Sequence, residues 1–256
     1  MVIIMSDELA DKEYWQSSWK KSSKLDVAYV ANPFKKQFNK HIPHVHQDKL
    51  ALEIGCVPGV YLGHLGRDFG YIVEGIDYVT GAKETTLNTL RKFGIENAKI
   101  YESDFLSWVP DKLYNLICSF GFIEHFVDVE SMVNKHLDLL ESGGTLILEV
   151  PNFSSLQYML HKYLDRVNLE RHNTEIMNLD FFKKIAQKHD LCVQCIEYTG
   201  GAFDFWWENE TPTKIQKLAY NLLRPLAYIG RKIPINNRFA SPFIILIATK
   251  RTTSIS

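Results

Sequence analysis

The stretch Leu50–Gly59, Leu-Ala-Leu-Glu-Ile-Gly-Cys-Val-Pro-Gly, constrains the fold more than any other part of this chain. Leu50 to Ile54 is a short, mainly apolar run of the kind that makes a buried strand. Gly55 ends it, Gly59 follows, and Val60–Phe69 has the composition of a helix. Strand, glycine turn and helix in direct succession bring backbone amides close to a ligand. Glycine carries no Cβ, and the first N–H groups of a helix lack intrahelical partners. Glu53 stands just ahead of the turn. A carboxylate there repels a pyrophosphate but accepts hydrogen bonds from an amine or a hydroxyl.

The same alternation continues to about residue 150. Tyr71–Asp77 reads as a second strand ending in an acid, and Ala82–Phe93 as a helix stopped by Gly94. Ala98–Tyr101 is a third strand, followed by Ser103-Asp104-Phe105. Tyr114–Phe120 is a fourth, leading into Gly121–His125. Val129–Leu140 is an amphipathic helix with Glu141–Gly144 as its terminating turn, and Thr145–Val150 is a fifth strand ending at Pro151-Asn152. This order predicts a doubly wound α/β fold, with ligands beyond the carboxyl ends of parallel strands. Glu53 with Gly55, Asp77, Asp104, Ser119 with Phe120, and Asn152 all fall at those ends. Asp77 lies about 20 residues past the turn, where an acid binds ribose hydroxyls in nucleotide-binding units. Its other reading is a turn or cap residue. Asp104 can accept from an exocyclic amine and Phe105 can stack on a base. Equally, they are a turn acid beside a core aromatic.

Flanking segments divide the chain into a helical lid or linker over 1–49 and a main domain over 50–256. Trp15 and Trp19 share one face of a helix at Glu13–Lys21, which either packs on the domain or covers a ligand. His41, His44 and His46 have no cysteine or carboxylate pattern beside them and read as a solvated linker. Residues 153–177 show no strand and are long for a connector, which makes them a functional excursion carrying Tyr158, Arg171 and His172. A helix over 178–189 and strands at Leu191–Tyr198 and Phe243–Thr249 complete the pattern. Between those last strands, 200–241 opens with an aromatic run containing Trp206. It continues as a helix at Thr213–Lys232, bent near Pro225. That helix is basic and amphipathic, so it suits a packing or homodimer face, or a membrane surface.

A net charge of −1 points to no nucleic-acid partner. No apolar run is long enough to span a bilayer, and the start of the chain has no signal-peptide pattern. Four cysteines, three of them in or beside apolar runs, suit reduced thiols in the cytoplasm.

Taken in order, these motifs resemble the class I S-adenosylmethionine-dependent methyltransferases over roughly 45 to 198. Glu53, Gly55 and Gly59 match the family's first motif, with Val57 in place of the middle glycine. Glu74–Asp77 is similar to the second-strand motif and Ser103-Asp104-Phe105 to the adenine motif. Tyr114–Ile117 is similar to the fourth-strand motif, with Asn115 where aspartate is usual. Ile123-Glu124-His125 and Gly143–Leu146 also recur. The resemblance implies a seven-stranded sheet of order 3-2-1-4-5-7-6, strand 7 antiparallel, with insertions at 153–177 and 200–241 over the active site. It implies S-adenosylmethionine as cofactor, held by Glu53, Gly55, Gly59, Asp77, Tyr78, Asp104, Phe105 and Ser119.

A nicotinamide-binding Gly-x-Gly-x-x-Gly turn would need glycines at 55, 57 and 60, and Val57 and Val60 exclude it. Transfer of a methyl to oxygen needs alignment of the acceptor and removal of its proton. His125 and His172 are the candidate catalytic bases, His125 otherwise only shaping the cofactor pocket. Tyr14, Tyr158, Arg171 and Trp206 are the candidate acceptor contacts. Some quinone O-methyltransferases bind magnesium through Glu-x-x-Glu-His. Here Gly121 replaces the first carboxylate, and no metal is expected. The expected acceptor is a sugar or nucleotide-linked sugar of a surface polysaccharide, methylated on oxygen. The alternatives are a quinone or lipid acceptor at a membrane surface, or a non-catalytic cofactor-binding module.

Overall fold

The computed structural model describes residues 8–22, 32–46 and 48–252. Met1–Met5 and the side chain of Trp19 lie outside the described residues. Strand β1 (Leu50–Ile54) occupies the middle of the sheet. It pairs in parallel with β2 (Ile72–Asp77) on one side and β4 (Tyr114–Phe120) on the other. β3 (Lys99–Glu102) extends the sheet beyond β2, and β5 (Leu140–Pro151) lies parallel to β4. β7 (Phe243–Lys250) is antiparallel to both β5 and β6 (Leu191–Thr199), which gives the expected order 3-2-1-4-5-7-6. The inner strands read as near-continuous apolar runs because both sheet faces are covered. Ile244 to Ala248 of β7 are fully buried.

Helices close the two faces. α3 (Val60–Phe69) buries Leu62 and Leu65 on one face, and α5 (Val129–Asp138) buries Val133 on the other. Asp128 starts α5 by accepting from the Ser131 amide at 3.0 Å, an N-cap bond. α4 (Ala82–Lys92) lies along β3 and α8 (Leu179–Lys188) along β6. Among the described residues, α1 (Lys12–Ser22) and α2 (Lys35–His41) precede the sheet.

Several local expectations change. Glu141–Gly144 is not a turn after a helix but part of β5. The pairing jumps from Tyr114–Leu140 to Leu116–Thr145, so these residues form an irregularity within the strand. Gly143 adopts φ +79° there. Of the histidines read as a solvated linker, His41 ends α2, within which the ring of Phe38 is fully buried, as is that of Phe34 just before it. His44 stacks on Phe69 at 4.9 Å between ring centroids. The excursion 153–177 is helical, with α6 (Ser155–Leu164), α7 (Arg166–Glu170) and a 3-10 turn at Thr174–Ile176. α9 (Lys214–Gly230) runs on through Pro225 and begins with a capping box between Thr213 and Gln216. Asn115 donates no charge to the sheet. Its Oδ1 accepts from the Leu50 amide at 2.9 Å, pinning the start of β1 to β4.

Candidate active site

The carboxyl ends of β1, β2, β4 and β5 open into one cavity of about 460 Å³. α1, the 3-10 turn Ile123–His125 and the segment around Trp206–Glu208 supply its remaining walls. Gly55 (φ +71°) and Gly59 (φ +93°) are both left-handed, as the turn requires. A Cβ on Gly59 would stand 2.7 Å from the Thr86 methyl carbon Cγ2. Val57 fits the middle of this turn. Its amide donates to Asp77 Oδ2 at 3.2 Å, and the Val79 amide donates to Oδ1 at 3.0 Å. The acid at the end of β2 therefore ties the glycine turn to the next loop. The Tyr78 amide also bonds this carboxylate, which keeps a lone pair for a ligand hydroxyl. Glu53 Oε2 accepts from the Leu62 amide at 3.1 Å. Burial pushes both carboxyls above their ordinary range, Glu53 well above it.

Tyr78, Asp104 and Phe105 line the same cavity. Asp104 Oδ1 accepts from the Leu106 amide at 2.8 Å. Ser119 does not belong to the lining. It is fully buried, with its hydroxyl 3.1 Å from His136 Nε2, because its side chain points from β4 into the core beneath α5. Strand alternation sets this direction, and position at a strand end does not.

The two candidate bases meet, although they lie on different elements. The rings of His125 and His172 are 4.4 Å apart between centroids. His125 Nδ1 donates to the Arg171 carbonyl at 2.9 Å, and His172 Nδ1 donates to the Asn168 carbonyl at 2.7 Å. A carbonyl oxygen can only accept, so in each neutral ring the lone pair resides on Nε2. Burial holds His125 well below its ordinary value and His172 at about 4. Glu124 is fully buried with no hydrogen-bond partner on either oxygen, and burial raises it to about 8. Its Oε1 lies 3.7 Å from His125 Nε2.

Donor atoms of Glu124, His125 and His172 all fall within 4.8 Å of one another, so this group could hold a metal ion. Gly121 had removed one carboxylate from the sequence pattern, and His172 supplies a third donor from a distant element.

The candidate acceptor contacts divide. Trp206 lines the cavity and stacks on Phe243 at 5.5 Å. Tyr14 lines it too, with its hydroxyl donating to Glu208. Arg171 stands behind this wall, its guanidinium 3.7 Å over the Tyr14 ring, and contributes its carbonyl to His125. Tyr158 is exposed on α6 under the Lys162 ammonium and faces away from the cavity. Sequence reasoning missed Glu8, Glu149 and Glu208, which line the cavity. Glu149 carried a signal, as an acid inside the apolar run Leu146–Val150. It is buried, its Oε1 has no hydrogen-bond partner, and burial raises its carboxyl well above the ordinary range. None of the described residues lining the cavity is Lys or Arg.

Residues 25–196 match the family model described as a methyltransferase domain, and the chain belongs to that family. Among curated proteins it is similar to EEF1A lysine methyltransferase 2 of Danio rerio, 28% identical over 109 residues. That match covers 39% of this chain and 47% of the relative, so the chain matches about half of the relative's length. Among solved structures, a putative methyltransferase from Bacillus halodurans C-125 superposes with a TM-score of 0.62 at 15% identity, covering 86% of this chain and 99% of that one. Phosphoethanolamine N-methyltransferase 2 of Haemonchus contortus, in complex with S-adenosyl-L-methionine, gives 0.64 at 15% identity, covering 98% and 61%. The N-methyltransferase NodS of Bradyrhizobium japonicum WM9, in complex with S-adenosyl-l-homocysteine, gives 0.53 at 11%, covering 92% and 97%. The shared feature is the Rossmann-like methyltransferase fold.

Proposed function

We propose that this chain transfers a methyl group from S-adenosylmethionine to a small hydroxylated acceptor, a sugar before others. One observation carries the reading. A left-handed glycine turn with buried acids at one end of a cavity faces a neutral histidine pair at the other. The turn suits the cofactor because Gly55 and Gly59 both adopt the left-handed backbone that lets a loop pass close to a ligand. Glu53 would accept from the cofactor's amine, Asp77 from its ribose hydroxyls and Asp104 from its adenine amine, with Phe105 along the base. When bound, S-adenosylmethionine supplies a methyl on a sulfonium with its leaving group built in. His125 or His172 would take the acceptor's proton at Nε2 as the new bond forms. Tyr14 and Trp206 would position the acceptor and exclude water. All four cysteines are free thiols, which fits a cytoplasmic setting.

The lining bears on the expected nucleotide-linked sugar. With no Lys or Arg at the wall, phosphates would have to remain outside the cavity, so the sugar end alone would enter. A second reading is favoured by the same wall. Glu208 beside Trp15 and Trp206 would also suit an amine acceptor, whose charge an acid and aromatic faces attract. The test measures transfer of labelled methyl to free sugars, nucleotide sugars and aliphatic amines, with calorimetry of cofactor binding alongside. Transfer to sugars is expected. Transfer confined to amines would move the assignment to the second reading. Absence of cofactor binding at millimolar concentration would overturn both, and binding without transfer would leave a non-catalytic cofactor module.

A further inference from the structure

α9 does not pack its apolar side. Of its residues only Ala227 and Gly230 are buried. Ile215, Leu218, Leu222, Leu226 and Ile229 recur three or four positions apart and form one stripe, and each is more than half exposed. Across a shallow groove the stripe continues onto Met159 and Tyr163 of α6. A soluble surface rarely carries so continuous an apolar patch without a partner.

The charge around the patch identifies that partner. From Thr211 to Ser256 the sequence contains no Asp or Glu, although the whole chain carries a net charge of −1. Lys214, Lys217 and Arg224 lie on α9 beside the stripe in sequence, and Arg231, Lys232 and Arg238 follow its end. Among the described residues Arg231 lies 3.5 Å from Asp204 and Arg238 acts on Asp180, both acids outside this segment. Pairing with a second copy through this stripe would bring the bases of one copy toward those of the other, with no acid of the segment to answer them. An anionic bilayer meets both requirements at once, with acyl chains for the stripe and headgroup charge for the bases.

We propose that the face formed by α6 and α9 is a peripheral docking surface for an anionic lipid bilayer, with α9 lying in the interface plane. No described helix is long and apolar enough to cross a membrane, so the contact is adsorption from one side. This inference is independent of the methyltransferase reading.

The test is flotation of the full chain with vesicles of phosphatidylcholine containing phosphatidylglycerol, against phosphatidylcholine alone. Binding to the anionic vesicles only is expected, weakening as salt rises. Replacing Lys214, Lys217 and Arg224 with Gln should weaken partitioning about fivefold per residue, the equivalent of about 1 kcal/mol each. Leu218→Glu with Leu222→Glu should abolish it. Neither set touches the cavity lining, so thermal melting and cofactor calorimetry should match the parent and separate lost docking from lost folding. Lack of flotation by the parent overturns the proposal, as does flotation that neither variant set changes. A concentration-dependent dimer lost in the Leu218→Glu/Leu222→Glu variant, without vesicle binding, would assign the face to a second copy instead.

Discussion

Asp77 shows how one side chain can serve both the turn and the ligand. Its carboxylate collects the Val57 and Val79 amides while facing the cavity. Asp77→Ala should therefore weaken S-adenosylmethionine binding by about 1–3 kcal/mol, since the ribose and two amides lose their acceptor. Asp77→Asn, which keeps one acceptor oxygen, should lose less. Equal affinities for the parent and both variants by calorimetry would remove Asp77 from the cofactor site. Glu124 allows a separate prediction from its position beside the histidine pair. Its folded pKa of about 8 exceeds the ordinary 4.5, so the stability attached to its protonated form is complete below pH 4.5 and is lost as pH rises through 8. Glu124→Gln removes that loss. The variant's melting temperature relative to the parent should be higher at pH 8 than at pH 5, and the same offset at both would refute it.

At the scale of elements, the strand–turn–helix unit was legible because each part obeys a local rule. An apolar run makes a strand, a left-handed residue makes the turn, and the glycine spacing excludes a dinucleotide site. Gly59→Ala tests the turn directly. The left-handed backbone costs a Cβ-bearing residue about 1–2 kcal/mol, and the contact with Thr86 adds to it. Adding Thr86→Ala should recover only the contact part in urea titrations, because φ +93° remains. By contrast, α2 was hidden. Its seven residues are mostly basic or polar, and it is held by the buried side chains of Gln37 and Phe38 and by Phe34 just ahead of it. A helix this short forms through tertiary packing rather than propensity. Phe38→Ala should cost about 3–5 kcal/mol, which a solvated linker would not show. α9 was recognised as basic and amphipathic, but which side it buries could only be seen once folded.

Across the whole molecule, buried titratable groups pull stability in opposite directions. His136 and His172 are held at about 4 and His161 at about 3 by burial, below their ordinary 6.5. Their contribution is complete above pH 6.5 and is lost as pH falls toward 4. Glu53, Glu124 and Glu149 are raised, so theirs is complete below pH 4.5 and is lost as pH rises. Between 4.5 and 6.5 the two sets offset each other. Below that window the histidines dominate, and above it the acids do. The unliganded protein should therefore show its highest stability between pH 4.5 and 6.5, with a decline toward pH 8 and another toward pH 4. Urea unfolding at pH 4, 5.5 and 8 checks this, and a rise from 5.5 to 8 would contradict it.

The sequence by itself determined the alternation of strands and helices, the glycine turn and the acids at the strand ends. These depend on hydrophobic period and on backbone conformations open to few residues, and both are written locally. The resemblance of the ordered motifs supplied the sheet order, which the pairing of all seven strands bears out. Tertiary structure decided what depends on contacts between distant segments. It turned Ser119 into the core and Tyr158 out to solvent, placed His172 against His125, and left Glu124 and Glu149 buried beside the cavity. It also left the apolar stripe of α9 uncovered. Burial and pairing of this kind belong to the packed molecule, because a side chain's direction follows from its neighbours across the fold as much as from its place in the chain.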